Sequence, residues 1–133
     1  MYLIVCLDDR GGMLFNHRRQ SQDRALRADL LAMTRGSRLY MSDWSAKPFG
    51  DTPGITRSPD PLEEAGSGDW CFLEDRPLGA LADRVEKLVI YRWNRTYPAD
   101  LFFDLSLRGW HLESSADFPG SSHEKITKET YIP

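Results

Sequence analysis

The sequence predicts an α/β fold: a mixed, mostly parallel sheet with an antiparallel C-terminal hairpin and helices on both faces. A continuous apolar run at residues 2–7 is typical of a fully buried strand. Strand and helix patterns then alternate along the chain, which favours parallel pairing. Residues 123–132 show a two-residue alternation, which is typical of an antiparallel hairpin with one wet face. The 133 residues suit one domain, and we assign residues 1–133 to it.

The first strand and its turn open the chain. Tyr2–Leu7 is an unbroken apolar run that includes β-branched, aromatic and thiol side chains. The run ends at Asp8–Gly12, where two carboxylates and two glycines predict a turn. Met13–Gln20 is basic, and we interpret it as a loop.

The strongest helix pattern extends over Ser21–Arg35. Ser21 can cap its first turn, and Asp23 lies in that turn, where the helix dipole favours an anion. Apolar residues recur at helical spacing at positions 26, 30 and 33. Gly36 is expected to end the helix.

The later elements are shorter. A strand is predicted at Arg38–Met41, and a short helix begins near Ser42. Residues 47–69 are rich in proline and glycine, which predicts a loop with one or two helical turns around Pro61–Ala65. The remaining predicted elements are a strand at Trp70–Leu73, a helix at Pro77–Arg84, a strand at Lys87–Trp93, and two strands at Gly109–Glu113 and His123–Ile132.

Charge and cysteine content limit the function classes. The net charge is −3, but residues 1–40 carry seven arginines and four aspartates, which gives +3. Such a segment can attract nucleic acid, although arginines on a solvated helix face are the simpler interpretation. Cys6 and Cys71 lie in apolar runs, so we expect buried, reduced thiols and a cytoplasmic protein. No apolar run is long enough for a membrane span.

The order of these elements, with the residues at their joints, resembles dihydrofolate reductase. Five segments carry the resemblance: Leu3–Met13 (first strand and mobile loop), Asp23–Met33 (first helix), Leu39–Ser42 (second strand), Cys71–Trp93 (phosphate turn, helix and strand) and Trp110–Ile132 (hairpin). The chain is shorter than the family's bacterial members between Phe49 and Trp70, where the family has an additional strand. The resemblance therefore implies a smaller sheet.

The resemblance implies a pterin site with one essential carboxylate near the start of the first helix. Asp23 falls at about that position as a candidate catalytic acid, and Asp29 is the second candidate. A helix-dipole role for Asp23 stays open. The implied ligand cleft would be lined by Asp23 with Arg19, Met41 and Tyr91, the last in place of the family's threonine.

Several residues depart from the family's dinucleotide-binding pattern. Where the family has a Gly-Gly turn before a helix, this chain has Leu73–Arg76 with two carboxylates, which repel a phosphate. Asp43 replaces a phosphate-binding arginine, and Arg18–Gln20 replaces the segment that closes over the nicotinamide. We therefore expect no NADPH binding and name no cofactor. Asp75 is expected to cap the helix that starts at Pro77 and so to fill the phosphate site.

Other catalytic constellations find little support in the sequence. The three histidines show no metal-ligand spacing, so we predict no metal site. Ser121 or Ser122 could pair with His123, but no nucleophile-elbow motif is present, and a polar turn is the better interpretation.

Three functions follow as hypotheses. The first is a dihydrofolate-reductase-like domain that has lost NADPH-dependent reduction and binds an unidentified small molecule in the residual cleft. The second is an active reductase of a pterin- or flavin-like substrate with altered cofactor binding, in which Asp23 is the acid. The third is nucleic-acid or protein binding through the arginines of residues 10–38. A homodimer stays open in each case.

Overall fold

The protein contains ten strands and three α-helices, and the computed structural model describes all 133 residues. The strands are β1 (Tyr2–Leu7), β2 (Gly12–Phe15), β3 (Arg18–Arg19), β4 (Leu39–Met41), β5 (Ile55–Arg57), β6 (Trp70–Phe72), β7 (Lys87–Arg92), β8 (Leu101–Phe102), β9 (His111–Phe118) and β10 (Ile126–Ile132). The helices are α1 (Arg24–Met33), α2 (Asp43–Ala46) and α3 (Pro61–Glu64), and 3₁₀ segments cover Lys47–Phe49 and Gly79–Arg84. None of the helices is long and apolar enough to cross a membrane.

Seven strands form the main sheet, in the order β5-β4-β6-β1-β7-β10-β9. The strand β1 lies at its centre and pairs in parallel with β6 and β7. The strand β10 pairs antiparallel with both β7 and β9. The predicted mixed, mostly parallel sheet is confirmed, and so is its antiparallel C-terminal hairpin.

Alternate side chains of β1 supply an apolar core on each face of the sheet. Leu3 and Val5 belong to the core that contains Leu62 of α3. Ile4 belongs to the opposite core, with Leu30 of α1. All five side chains are fully buried, and each contributes about 1.5–3 kcal/mol to stability. Helices therefore cover both faces, as predicted.

Two segments that the sequence predicts as loops contain strands. Within residues 47–69, Ile55–Arg57 forms β5 and pairs in parallel with β4, so the prediction that this stretch holds no strand is wrong. The segment Met13–Gln20 forms a hairpin of β2 and β3 and joins β8 in a separate three-stranded sheet. Asn16 and His17 make its turn with φ values of 50° and 60°, as a two-residue hairpin turn requires. These strands have two to four residues, too few to show a period of two.

Two elements that meet at the site, α1 and β10, begin later than predicted. The helix α1 begins at Arg24, and its cap is Asp23 rather than Ser21, with the carboxylate accepting the N–H of Leu26. The last strand begins at Ile126, because His123 lies in a buried turn before it. The preceding strand, predicted to end at residue 113, continues to residue 118.

Candidate functional site

A narrow cleft lies at the carboxyl edge of the parallel strands, the usual position of ligand sites in such sheets. It is bounded by the start of α1, the 3₁₀ segment at residues 47–49, and the ends of β6 and β7. Its polar walls come mainly from Arg19, Ser21, Asp23, Arg27 and Glu74. The cavity measures about 20 Å³, which is room for about one water molecule. The chain's own side chains therefore fill most of the space.

The carboxylate of Asp23 is fully engaged by protein donors. Its Oδ1 accepts the N–H of Leu26 at 3.1 Å and that of Ser121 at 3.0 Å. Its Oδ2 accepts the N–H of Ser122 at 2.8 Å and lies 3.0 Å from His123 Nδ1. Burial alone would raise the pKa of Asp23, but these hydrogen bonds outweigh burial and hold the pKa well below its usual value of 3.8. Asp23 is therefore a buried anion.

The ring of His123 connects this anion to the cleft. Its Nδ1 faces Asp23, while its Nε2 lies 3.0 Å from Ser21 Oγ and 3.1 Å from the Tyr97 hydroxyl. Trp93 stacks on the ring, with 4.6 Å between ring centroids and 26° between planes. His123 is buried, whereas Ser21 is partly exposed and lines the cleft. Hydroxyl, imidazole and carboxylate stand in the order that general-base activation of a serine needs.

The serine and histidine of this cluster are not predicted as site residues from the sequence. Ser21 and His123 are 102 positions apart, so no local motif joins them. In the sequence, Ser121 and Ser122 are the serines nearest to His123 and the candidates for pairing with it. The serine hydroxyl that reaches Nε2 belongs instead to Ser21. Ser122 instead donates its hydroxyl to Gln22 O and Asp23 Oδ2. The only local signal is a polar run of side chains just before the helix.

An ion pair between Arg19 and Glu74 closes the other side of the cleft. Arg19 donates to both carboxylate oxygens of Glu74, at 3.3 and 3.4 Å. Its guanidinium also donates to Trp44 O at 3.1 Å and lies 4.0 Å over the Trp44 ring. Burial raises the pKa of Glu74, and Arg19 opposes that rise. Arg19 is thus held by its own chain rather than left free for a ligand.

The other sequence-predicted site residues lie outside the cleft. Arg19 and Asp23 line it, but Met41 and Tyr91 do not and are fully buried in the core beneath it. The Tyr91 hydroxyl donates to Asp29. Burial is the main cause of a strong rise in the pKa of Tyr91, and the contact with Asp29 adds to that rise. Asp29 also pairs with Lys128 at 2.8 Å, so this second candidate acid belongs to a different cluster.

The turn after β6 is closed by a different residue than predicted. Asp75 is exposed and caps nothing, because the 3₁₀ segment begins at Gly79 rather than at Pro77. The N–H groups of Leu78 and Gly79 instead donate to the carboxylate of Asp104, at 2.9 and 3.0 Å. Partial desolvation would raise the pKa of Asp104, but these hydrogen bonds outweigh it and lower the pKa. The prediction that Asp75 fills this turn is therefore wrong.

Another surface acid lies two residues after β4, where the resemblance implies a phosphate-binding arginine. Asp43 is 82% exposed, and its carboxylate lies 4.0 Å from Arg57 of β5. An exposed pair at this distance contributes little to stability. The described residues contain no group of three or more His, Cys, Asp or Glu side chains that could hold a metal ion.

Neither the protein-family models nor the curated proteins give a match to this chain. Among solved structures, the chain is similar to dihydrofolate reductase from Enterococcus faecalis complexed with NADP(H) and RAB-propyl. The sequence identity is 13%, the TM-score is 0.70, and the match covers 98% of this chain and 94% of that chain. The protein therefore has a dihydrofolate-reductase-like fold, as its element order indicates.

Proposed function

We propose that this chain does not carry out NADPH-dependent reduction and that it binds a small ligand in the cleft at the start of α1. The observation that carries the proposal is the engagement of Asp23. The resemblance implies that a carboxylate near this position must face the amino-pyrimidine of a pterin. Both Asp23 oxygens already accept hydrogen bonds from Leu26, Ser121, Ser122 and His123. A pterin would have to displace them.

The cofactor side supports the same proposal. The similar reductase is complexed with NADP(H), and the resemblance places the pyrophosphate at the turn after β6. Here the N–H groups at the start of the 3₁₀ segment already donate to Asp104. The carboxylates of Glu74 and Asp75 also belong to this turn. Each like-charge pair at about 4 Å costs about 1 kcal/mol in water and several times more when partly buried.

The cleft itself suits a small ligand with an anionic group. Arg27 lines it, is partly exposed, and donates only to the neutral Gln22 Oε1 at 3.3 Å. Phe49, Phe72 and Trp93 supply apolar wall. A ligand can therefore pair with Arg27 at the rim and place an apolar part against these rings. Entry requires the walls to move apart, because the cavity is small.

We also propose a cytoplasmic location. Cys6 and Cys71 are both free, and neither takes part in a disulfide. Burial raises the pKa of Cys71 to about 12, which keeps that thiol protonated and unreactive. Cys71 is buried and Cys6 is partly exposed, and free thiols of this kind fit a reducing compartment.

Thermal unfolding with a panel of ligands tests the proposed function. We expect no stabilisation by millimolar NADPH or NADH and stabilisation by small aromatic carboxylates or phosphate esters. Arg27→Gln should abolish the stabilisation by these anionic ligands. Arg35→Gln, at an exposed position just after α1, should leave it unchanged.

The other hypotheses predict different outcomes in the same assay. A shift of several degrees with sub-millimolar NADPH would overturn the proposal and favour an active reductase of a pterin- or flavin-like substrate. A shift with RNA that disappears at high salt would favour nucleic-acid binding through the arginines of residues 10–38.

A further inference from the structure

We propose that Ser21 is a nucleophile and that the chain hydrolyses small carboxylic esters that carry an anionic group. The inference rests on the proposed function only in that the substrate enters the same cleft. It does not depend on whether NADPH binds. Its basis is the geometry of Ser21, His123 and Asp23.

The atoms are in the order that serine activation needs. Asp23 Oδ2 lies 3.0 Å from His123 Nδ1, and His123 Nε2 lies 3.0 Å from Ser21 Oγ. Because Asp23 is an acceptor, it favours the tautomer with the proton on Nδ1. Nε2 then carries the lone pair that can take the hydroxyl proton of Ser21.

The surroundings hold the base still and place the nucleophile in the wall of the cleft, which must open to admit a substrate. The imidazole is 3% exposed and stacked on Trp93. Ser21 is partly exposed and belongs to the wall of the cleft. Tyr97 also reaches Nε2, at 3.1 Å, but it does not line this cleft. Ser21 therefore joins His123 to this cleft, whereas Tyr97 lines a separate surface pocket beside Arg18 and Pro98.

Donors for a developing oxyanion are close to Ser21 in the chain. The backbone N–H groups of Ser21 and Gln22 make no hydrogen bond within the chain. A nucleophile's own N–H and a neighbouring N–H are donors of the kind that stabilise a tetrahedral intermediate. Arg27, in the same wall, can hold an anionic group of the substrate and so sets the substrate class.

The reaction balances with water as the only co-reactant. Ser21 Oγ bonds to the ester carbonyl carbon while its proton passes to His123 Nε2. The carbon–oxygen bond to the alcohol breaks, and the alcohol leaves with that proton. Water then attacks the acyl-serine and gives a proton to His123, which returns it to Ser21 Oγ as the acid leaves. One ester and one water give one acid and one alcohol.

Covalent labelling distinguishes this role from a purely structural one. The folded protein is treated with a small alkyl fluorophosphonate, and the modified residue is located by mass spectrometry. We expect one adduct, on Ser21. The labelling rate should fall at least about 100-fold in His123→Gln, because the general base is lost. Ser21→Ala should remove the adduct, whereas Ser37→Ala, at an exposed turn, should leave it unchanged.

Each result decides the question separately from the proposed function. Absence of an adduct in the folded wild type overturns the inference, as does labelling that His123→Gln leaves unchanged. His123 is buried, so circular dichroism must first show that His123→Gln is folded. If it is not, loss of labelling in folded Asp23→Glu, which displaces the carboxylate by one methylene, supports the inference, and retained labelling contradicts it. Ser21 labelling in a protein that also binds NADPH would support the inference while overturning the proposed function.

Discussion

Two carboxylates, Asp23 and Asp104, show how similar hydrogen bonding leads to different chemistry. Each accepts backbone N–H groups from a distant segment: Asp23 from Ser121 and Ser122, and Asp104 from Leu78 and Gly79. Both carboxylates therefore fasten a loop onto a helical start. They differ in what else they contact.

Asp23 is buried and also holds His123, whereas Asp104 is exposed and contacts no other titratable side chain in the described hydrogen bonds. The histidine links the buried carboxylate to a hydroxyl in the cleft through hydrogen bonds. A carboxylate that only caps a turn, as Asp104 does, has a purely structural role. The region around Asp23 therefore has the groups that activation of a serine needs, whereas the region around Asp104 does not. Substitutions can test this difference.

The largest effect is expected for Asp23→Asn. The amide keeps one acceptor oxygen and places an NH₂ group among backbone donors, which leaves buried N–H groups unsatisfied. We expect a loss of about 3 kcal/mol in the free energy of unfolding. Urea denaturation measures it, with Asp75→Asn as the control because that carboxylate is exposed. Equal stability of the two variants would mean that Asp23 does not fasten the turn.

The next effect is expected for Gly120→Ala, in the turn that carries His123. A methyl group at this position would lie 2.5 Å from Asp23 Oδ2 and 2.9 Å from His123 O. The backbone oxygen cannot move without shifting the turn. We expect a loss of about 2 kcal/mol from overpacking. Gly109→Ala is not a suitable control, since its φ of 83° brings strain of its own. Gly66→Ala is suitable, because its nearest contact, at 3.5 Å, is an ordinary one.

Acid should destabilise the protein through the same carboxylates. The pKa of Asp23 in the folded state lies below its usual value of 3.8, so its stabilisation is complete above that pH and is lost as pH falls further. Asp8 and Asp104 have lowered pKa values and act in the same direction. Glu74, with a raised pKa, acts in the opposite direction: its stabilising contribution is present below 4.5 and is lost as pH rises.

Urea denaturation between pH 5 and pH 3 measures the balance of these groups. We expect wild-type stability to fall over this range and to fall less in Asp23→Asn, which lacks the titrating group. The loss assigned to Asp23 should be smaller than that of the substitution, since a protonated carboxyl keeps the native shape. Parallel curves for the two proteins would contradict the assignment.

The smallest effect is expected for Asp104→Ala. The carboxylate is exposed and caps one short 3₁₀ segment, so its loss should cost about 1 kcal/mol. Hydrogen exchange should become faster at the amides of Leu78 and Gly79 and stay unchanged at Ser121 and Ser122. Fluorophosphonate labelling of Ser21 should be unaffected. A change in that labelling would show that the two regions are coupled.

The sequence predicts the parts of this fold that depend on local pattern. Tyr2–Leu7 is found as a central strand with the predicted bounds, because six consecutive apolar residues have few alternatives to burial. The helix α1 is recognised from its apolar spacing, although its cap lies two residues later than predicted. The strand β5 is missed because three residues, two of them exposed, carry no periodic signal.

The site depends on contacts that no local pattern contains. Asp23 and Arg19 are identified as cleft residues through the resemblance, but the partners that determine what they do come from distant segments. His123 is 100 positions from Asp23, and Asp104 lies in a connection that the sequence presents only as polar and aromatic. The sequence favours Asp75 as a cap because it lies two residues before Pro77, yet the 3₁₀ segment begins too late for it to act as one.

The protonation of the His123 ring is the most direct test of the claim that Asp23 acts on a histidine instead of a substrate. Long-range ¹H–¹⁵N NMR spectra of the ¹⁵N-labelled protein at pH 8 report which ring nitrogen carries the proton, and His123→Gln assigns the signals. We expect a proton on Nδ1, facing Asp23, and an unprotonated Nε2, facing Ser21. A proton on Nε2 would contradict the account, because Ser21 would then have no base.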